Sequence, residues 1–558
     1  MPAVNRPGSA EADPGTGTTG AAATAGTAPA APDRGDRVWA WIGGYALAAI
    51  VLFLCYLRVS DTQAVTSDGA SNALQAWDML HGNWLLKGWT LTDVSFYTTE
   101  LPEYILVEIF RGLGPQDVHT AAAITYTMLV IVASLLAKGA KTGREGLVRA
   151  LIAAGIMIAP EVGPGAFLLL LSPDHTGTGV PLLLIFLLLD RAGGRAWVPP
   201  AAGLLLAWAQ IGDRIVLTIG VLPIVVVCAA RIARAAIHRR RSASADGSQA
   251  GSLVRECWFE AALAAAAVAS VALAEIFIRV VRHFGGYVSA PLDTRLAPVG
   301  QWPAHAALAF KGVLGLYGAD INRPLFTVAA LTDAVHFAGL ALAVAALGLA
   351  LWWFFRRDDL TEQLLVVAIG VNLVAYVVSL LPNTYWDNRE IASVLAFGAV
   401  LAGRLLAGAF IRARLLPVLA VVAACYLFAL GYGATRPETP AHDQALTDWL
   451  SAHHLTVGLG SYAEGNSVSL DSHGALLVAA PTWRADSVRP GTHEAKASDF
   501  SPRQHDATFV VTTDQDGPAF FIPPAWIIHA FGKPAHTYHY EVWTIMTYDK
   551  NLLNQVAR

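Results

Sequence analysis

The sequence predicts a polytopic α-helical membrane protein with a small α/β domain at its C-terminal end. Three observations carry this. Only 14% of the 558 residues are charged and 55% are hydrophobic, with a mean hydropathy of +0.48, whereas a soluble globular chain carries about 25% charged residues. About eleven apolar runs approach the roughly 20 residues a membrane helix needs, and Lys- and Arg-rich loops recur between them. From residue 435 onward no run is long enough to span, and Asp, His, Ser and Thr become frequent.

Taken in order, residues 1–36 are mostly Ala, Gly, Thr and Pro. Such a segment cannot bury enough surface to offset its chain entropy, so a disordered cytoplasmic tail is expected. Arg34 and Arg37 precede the first span, 39–57, and set its N-terminal end inside. Residues 60–117 then form a first outer loop that includes an apolar helix over 101–113. Further spans are expected at 118–137, 147–166, 181–189, 198–211, 215–233, 259–280, 334–355, 364–381, 391–410 and 415–432. The third to fifth are interrupted by Pro160, Pro164 and glycines, which membranes tolerate where broken helices line a cavity. The basic clusters at 138–149, 191–195, 231–241, 356–357 and 412–414 all fall on one side. A transmembrane domain over 37–434 follows, with a longer outer segment at 282–324 and an extracytoplasmic α/β domain over 435–558. In that last domain, strand-like runs lie at 457–460, 476–480, 508–512 and 540–548, and an amphipathic helix at 443–453. The expected location is a multi-pass protein of the cell membrane.

Composition also excludes some functions. The net charge of -4 argues against a nucleic-acid partner. Cys55, Cys228, Cys257 and Cys425 sit in or beside apolar runs without disulfide or metal spacing and read as small hydrophobes. The histidines of the tail match no zinc pattern. Richness in Ala and Gly fits a GC-rich bacterial genome.

The polar stretch after the first span is the informative one. Thr66-Ser67-Asp68-Gly69 leads into Ala70, Ala73, Leu74, Trp77 and Leu80, apolar positions at helical spacing. An acid beside a membrane helix is costly unless it caps, pairs or works. Asp68 reads equally as a helix N-cap or as a general base at the membrane boundary, and the two are compatible.

The run Asp68-Gly69, then Asn72-Ala73-Leu74-Gln75-Ala76-Trp77-Asp78-Met79-Leu80-His81-Gly82-Asn83-Trp84-Leu85, resembles the first outer loop of the C-type (GT-C) glycosyltransferases. It is most similar to the branch of protein O-mannosyltransferases and aminoarabinose transferases. Phe96-Tyr97-Thr98-Thr99-Glu100-Leu101-Pro102-Glu103-Tyr104 resembles their Glu-Lys-Pro-Pro segment, and Asn388-Arg389-Glu390-Ile391 sits where they carry Arg-Tyr. Three features depart: Gly69 stands for the second acid of an Asp-Glu pair, Leu101 for a phosphate-binding lysine, and the Pro expected a few residues after Arg389 is absent. The resemblance implies a GT-C-like membrane domain, Asp68 as catalytic base, Glu100 as loop organiser and Arg389 as phosphate ligand. It implies a polyprenyl-phosphate sugar donor, an extracytoplasmic glycan, lipid or protein acceptor, and inversion at the anomeric carbon.

Other residues are candidates on their chemistry. Asp93 and Glu100 suit substrate or divalent-metal contact, although no metal site is assigned. Lys87 suits lipid phosphate or simple snorkelling. Asp174-His175, beside glycines, suits substrate contact or turn chemistry, and Asp213-Arg214 reads as a local pair. Trp84, Trp89, Tyr385 and Trp386 suit sugar stacking or an interfacial belt. Two other functions stay open: a transporter or flippase of a lipid-linked or polymeric substrate, and a non-catalytic sugar-binding membrane protein.

Overall fold

The computed structural model describes residues 34–246, 253–291, 294–319, 327–441, 443–515 and 520–556. The tail before residue 34, and Asp320 and Arg323 of the segment 282–324, lie outside the described residues. The chain divides into two units, residues 1–47 and residues 48–558. The second holds everything that follows except residues 34–47 of the first helix.

Helices dominate up to residue 434. They are α1 (Arg34–Ser60), α2 (Ser67–Leu80), α3 (Leu101–Arg111), α4 (Gln116–Lys138), α5 (Gly143–Met157), α6 (Pro164–Leu169), α7 (Gly179–Ala192) and α8 (Val198–Gly212). After these come α9 (Leu222–Asp246), α10 (Leu253–Glu256), α11 (Trp258–His283), α12 (Trp302–Leu316), α13 (Val328–Trp353), α14 (Leu360–Val378), α15 (Ser393–Arg412) and α16 (Leu416–Ala434). Each expected span meets one of these except the third, 147–166, which divides between α5 and α6. Among the described residues eight helices are long and apolar enough to cross a membrane. The third to fifth expected spans are shorter: α5, α7 and α8 have 15, 14 and 15 residues. At 1.5 Å per residue that is about 22 Å against a hydrocarbon core of about 30 Å. The break after α5 has a local cause. Pro160 cannot continue the helical hydrogen bonding, and Gly163, at φ 120°, turns the chain into α6. Side chains such as Val268, Ile276 and Val280 on α11 are exposed, as on a helix that faces lipid. The chain is a multi-pass membrane protein.

Beyond residue 434 the pattern changes to mixed α/β. Strands β3 (Val457–Leu459), β4 (Leu477–Ala479), β8 (Phe509–Thr512), β9 (His536–Tyr540) and β10 (Trp543–Thr547) form a five-stranded sheet in the order β4-β3-β8-β10-β9. β3 pairs in parallel with β4 and β8, and β10 pairs antiparallel with β8 and β9. Helices α17 (Gln444–Ala452), α18 (Tyr462–Asp471) and α19 (Pro524–Phe531) accompany it. The expected run 540–548 divides into β9 and β10 around a tight turn at Glu541, which has φ 48°.

A second, three-stranded sheet ties this region to the first loop. β1 (Trp89–Leu91) runs parallel to β2 (Val288–Ser289) and antiparallel to β7 (Ala495–Lys496). The strands between β4 and β7, β5 (Thr482–Trp483) and β6 (Val488–Arg489), form a hairpin. Lys496 also reaches Asp78 on α2, Nζ to Oδ1 2.8 Å. The first loop is thus held on one side by α2 and α3 and on the other by the C-terminal sheet.

Candidate active site

Asp68 lies in the first turn of α2. Thr66 precedes the helix with an extended backbone and makes no side-chain cap bond. The helix buries Ala70, Ala73, Ala76 and Met79, so its start is fixed by packing. The Asp68 carboxylate turns instead to two distant partners. Its Oδ2 is 3.0 Å from Nη2 of Arg389, and its Oδ1 accepts from the Tyr462 hydroxyl at 2.7 Å. The expected capping role is not taken: the carboxylate pairs across the fold instead.

Arg389 sits in the 3-10 helix Tyr385–Ile391, just before α15. That turn is set by a capping box between Thr384 and Asp387, which is where Asp387 is used. The guanidinium lies 3.8 Å over the Trp386 ring, a cation–π contact that fixes its plane. Its Nη1 reaches Asp174 Oδ2 at 3.5 Å and Ser172 Oγ at 3.4 Å. Asp174 is buried and also accepts from Asn72 Nδ2 and Ser172 Oγ, each at 2.7 Å. Burial raises the Asp174 carboxyl above its ordinary range, and Arg389 opposes that.

A second ionic group stands beside it. His175, in left-handed backbone at φ 58°, places Nδ1 3.0 Å from Asp213 and Nε2 3.2 Å from Glu390. A non-glycine residue there costs about 1–2 kcal/mol, so the surrounding contacts over-determine the position. Burial disfavours the imidazolium, but Glu390 and Asp213 outweigh it and hold His175 up to about 10. Burial likewise works to raise Asp213, yet His175 and the bonds from Ile215 N–H and Thr178 Oγ keep it below its usual value. Glu390 is pushed up to about 7 by burial, with His175 pulling the other way. The expected local pair of Asp213 with Arg214 is therefore replaced by a pair with His175.

These groups open onto a cavity of about 820 Å³. Asp68, Asp93, Asp174, His175 and Arg389, all read as candidates from sequence, line it together. Two other candidates do not. Glu100 is fully buried beneath the site, where a Cβ on Gly177 would lie 2.9 Å from its Cδ. Burial first, and then Asp213, Glu103 and Asp174, keep its carboxyl well above the usual range, so it packs as a neutral acid. Lys87 is exposed in the turn before β1, its backbone held by Asn83, and does not line the cavity. Of the aromatics, Trp386 lines the cavity, whereas Trp89 is buried with its Nε1–H on Asp78 and Trp84 is 56% exposed.

The other wall comes from the C-terminal sheet. Its lining residues follow the three parallel strands: Ser461 and Tyr462 after β3, Ala480 to Thr482 after β4, and Phe520 to Ile522 after β8. Ligands in open α/β sheets bind outside the carboxyl ends of such strands. That rule, applied to the run at 457–460, was the available signal for Tyr462. A smaller cavity of about 510 Å³ shares Asp68, Trp386, Tyr462 and Phe520 with the first. Asp68 therefore stands in the wall between two cavities.

Gly69 has a steric reason. A Cβ there would sit 2.8 Å from Val118 Cγ1 and 3.4 Å from Ser172 Cβ. Any side chain here has to displace the Val118 methyl, so glycine is the residue that fits the packing as it stands. Among the described residues no three His, Cys, Asp or Glu side chains gather as a metal-holding group.

No family model matches the sequence, and no curated protein sequence matches it. Solved structures do match. ArnT from Cupriavidus metallidurans in the apo state superposes with a TM-score of 0.54 at 11% identity, covering 94% of this chain and 100% of that one. The same protein bound to undecaprenyl phosphate gives 0.53 at 10% identity, covering 93% and 99%. The oligosaccharyltransferase of Archaeoglobus fulgidus gives 0.45 at 14% identity, covering 90% and 73%. The chain shares the fold of ArnT.

Proposed function

We propose that this protein is an inverting membrane glycosyltransferase, moving a sugar from a polyprenyl phosphate to an acceptor hydroxyl on the extracytoplasmic side. The observation that carries the reading is the Arg389–Asp68 pair, stacked on Trp386 in the wall between two cavities. A phosphate needs a fixed cation, and an acceptor hydroxyl needs a base. Here the two meet at 3.0 Å. The fold shared with ArnT, and the ArnT structure described as bound to undecaprenyl phosphate, support a lipid phosphate as donor.

The chemistry follows from that contact. The larger cavity takes the sugar phosphate, with Arg389 and charged His175 as its cations. The smaller has no Lys, Arg or His among its described lining residues and takes the acceptor. When the donor phosphate engages Arg389, a bidentate partner replaces Asp68 Oδ2 on the guanidinium. That oxygen is then free to accept the acceptor proton. The acceptor oxygen bonds to the anomeric carbon from the face opposite the phosphate. The carbon–oxygen bond to phosphate breaks, its electron pair leaves on the phosphate oxygen, and the proton ends on Asp68. Arg389 stabilises the charge that gathers on the leaving group.

Replacing the base tests this directly. Asp68→Asn should lower transfer by about 10²–10⁴-fold, with the protein still folded and inserted. Unchanged turnover from a polyprenyl-phosphate sugar in that variant overturns the assignment.

A further inference from the structure

The Tyr462 hydroxyl touches two carboxylates at once. It lies 2.7 Å from Asp68 Oδ1 and in close hydrogen-bond contact with Glu494 Oε2. A phenol has one proton to donate, while both acids, if ionised, can only accept. One of the three groups must carry an extra proton. Asp68 is not that group, because its other oxygen faces the Arg389 guanidinium. Among the described residues Glu494 pairs with no such cation. The charges that bear on it are Asp68 and Asp174, both acidic, while its hydroxyl partners are Tyr462 and Ser71. Lys496, two residues on, is turned to Asp78, and His493 is kept neutral by burial.

We propose that Glu494 is a protonated positioning acid, which donates to the Tyr462 oxygen so that Tyr462 donates to Asp68. This rests on the transferase reading and deepens it. Once phosphate has drawn Arg389 away, the Glu494–Tyr462 chain is what still holds the Asp68 carboxylate ionised and aimed.

The placement supports the proposal independently of titration. Glu494 adopts left-handed backbone at φ 44°, immediately before β7. The pairing of β7 with β1 of the first loop fixes it there. Tyr462 is the first residue of α18, whose start is pinned by a capping box between Ser461 and Glu464. Glu494 is 6% exposed, so burial and the Asp68 charge raise its carboxyl well above the ordinary range. The Tyr462 phenol is raised in the same way and stays neutral.

The test uses the full chain in detergent or lipid, with difference infrared spectroscopy and transfer kinetics. At neutral pH the spectrum of the wild type minus that of Glu494→Gln, in which the Glu100 signal cancels, should show the carbonyl stretch of one buried protonated carboxyl. Tyr462→Phe should lower kcat by about tenfold with little change in KM, the loss of one hydrogen bond to a charged group. Glu494→Gln, whose amide still donates, should lose less than Tyr462→Phe and should lose any alkaline fall in kcat that the wild type shows. A neutral-pH difference spectrum with no protonated-carboxyl band overturns the proposal, as does an alkaline limb that persists in Glu494→Gln. The band is read without turnover. A chain that keeps the band while Asp68→Asn transfers normally retains a protonated Glu494 and loses the assignment of Asp68 as base.

Discussion

Two arginines fifteen positions apart each hold two aspartates, and they make opposite use of them. Arg404, inside α15, pairs with Asp190 at 2.9 Å and Asp359 at 2.8 Å, and donates to the Leu136 carbonyl at 3.0 Å. Arg389, just before α15, pairs with Asp68 at 3.0 Å and Asp174 at 3.5 Å. Both arginines are 6% exposed. Arg404 lines neither of the two site cavities, while Arg389 lines the larger of them. The ion chemistry is the same, and what differs is whether a ligand has room to replace a carboxylate. A cluster away from both cavities fastens helix ends; one that lines a cavity can exchange partners.

The contrast can be broken from either side. Removing the arginine away from the cavities should have the largest effect on stability. Arg404→Leu takes the buried cation from Asp190 and from the part-exposed Asp359, which keep weaker partners in Arg191, Thr361 and the Glu362 N–H, and should cost about 1–3 kcal/mol, measured by thermal unfolding in detergent, while the fraction that stays folded keeps its turnover. Loss of turnover without loss of stability would put Arg404 in the site after all. The arginine that lines a cavity should behave the other way. Arg389→Lys keeps the charge but loses the bidentate fork, and transfer should fall by roughly 10²–10³-fold with a small change in thermal midpoint.

The His175 group sharpens the comparison with a smaller, pH-dependent effect. Its folded value of about 10 lies above the ordinary histidine value, which is about 6.5. The stability it adds is therefore full below about 6.5, shrinks as pH rises, and is lost above the folded value. The gap in thermal midpoint between wild type and His175→Gln should narrow steadily over that range. A gap that widens with pH would mean the imidazole is held neutral.

Much of this was legible in the sequence because it rests on local pattern. The spans follow from apolar runs and the strands from short β-branched runs. Asp68 and Arg389 were readable as types and positions, although their contact joins residues 321 apart. Tyr462 and Glu494 were not readable, because a tyrosine after a strand and a glutamate before one look ordinary until the sheets fold. Asp213 was misassigned for a related reason: sequence adjacency to Arg214 suggested a pair, and the chain turned it toward His175. Lys87 and Glu100 show the reverse error. Their chemistry fits the reaction, yet one ends on an exposed turn and the other under the site.

The short sheet of β1, β2 and β7 has a consequence for synthesis. Its last strand belongs to residues 495 and 496, so the ribosome makes Arg389 long before it makes the strand that seats Glu494. A nascent chain can bring Asp68 to Arg389 as soon as the helices insert, but the phenol and its neighbouring acid arrive later, at residues 462 and 494. The order of translation is thus the order of assembly. A chain made only as far as Arg389 holds its charges clamped together, and the centre is complete only once β7 has emerged.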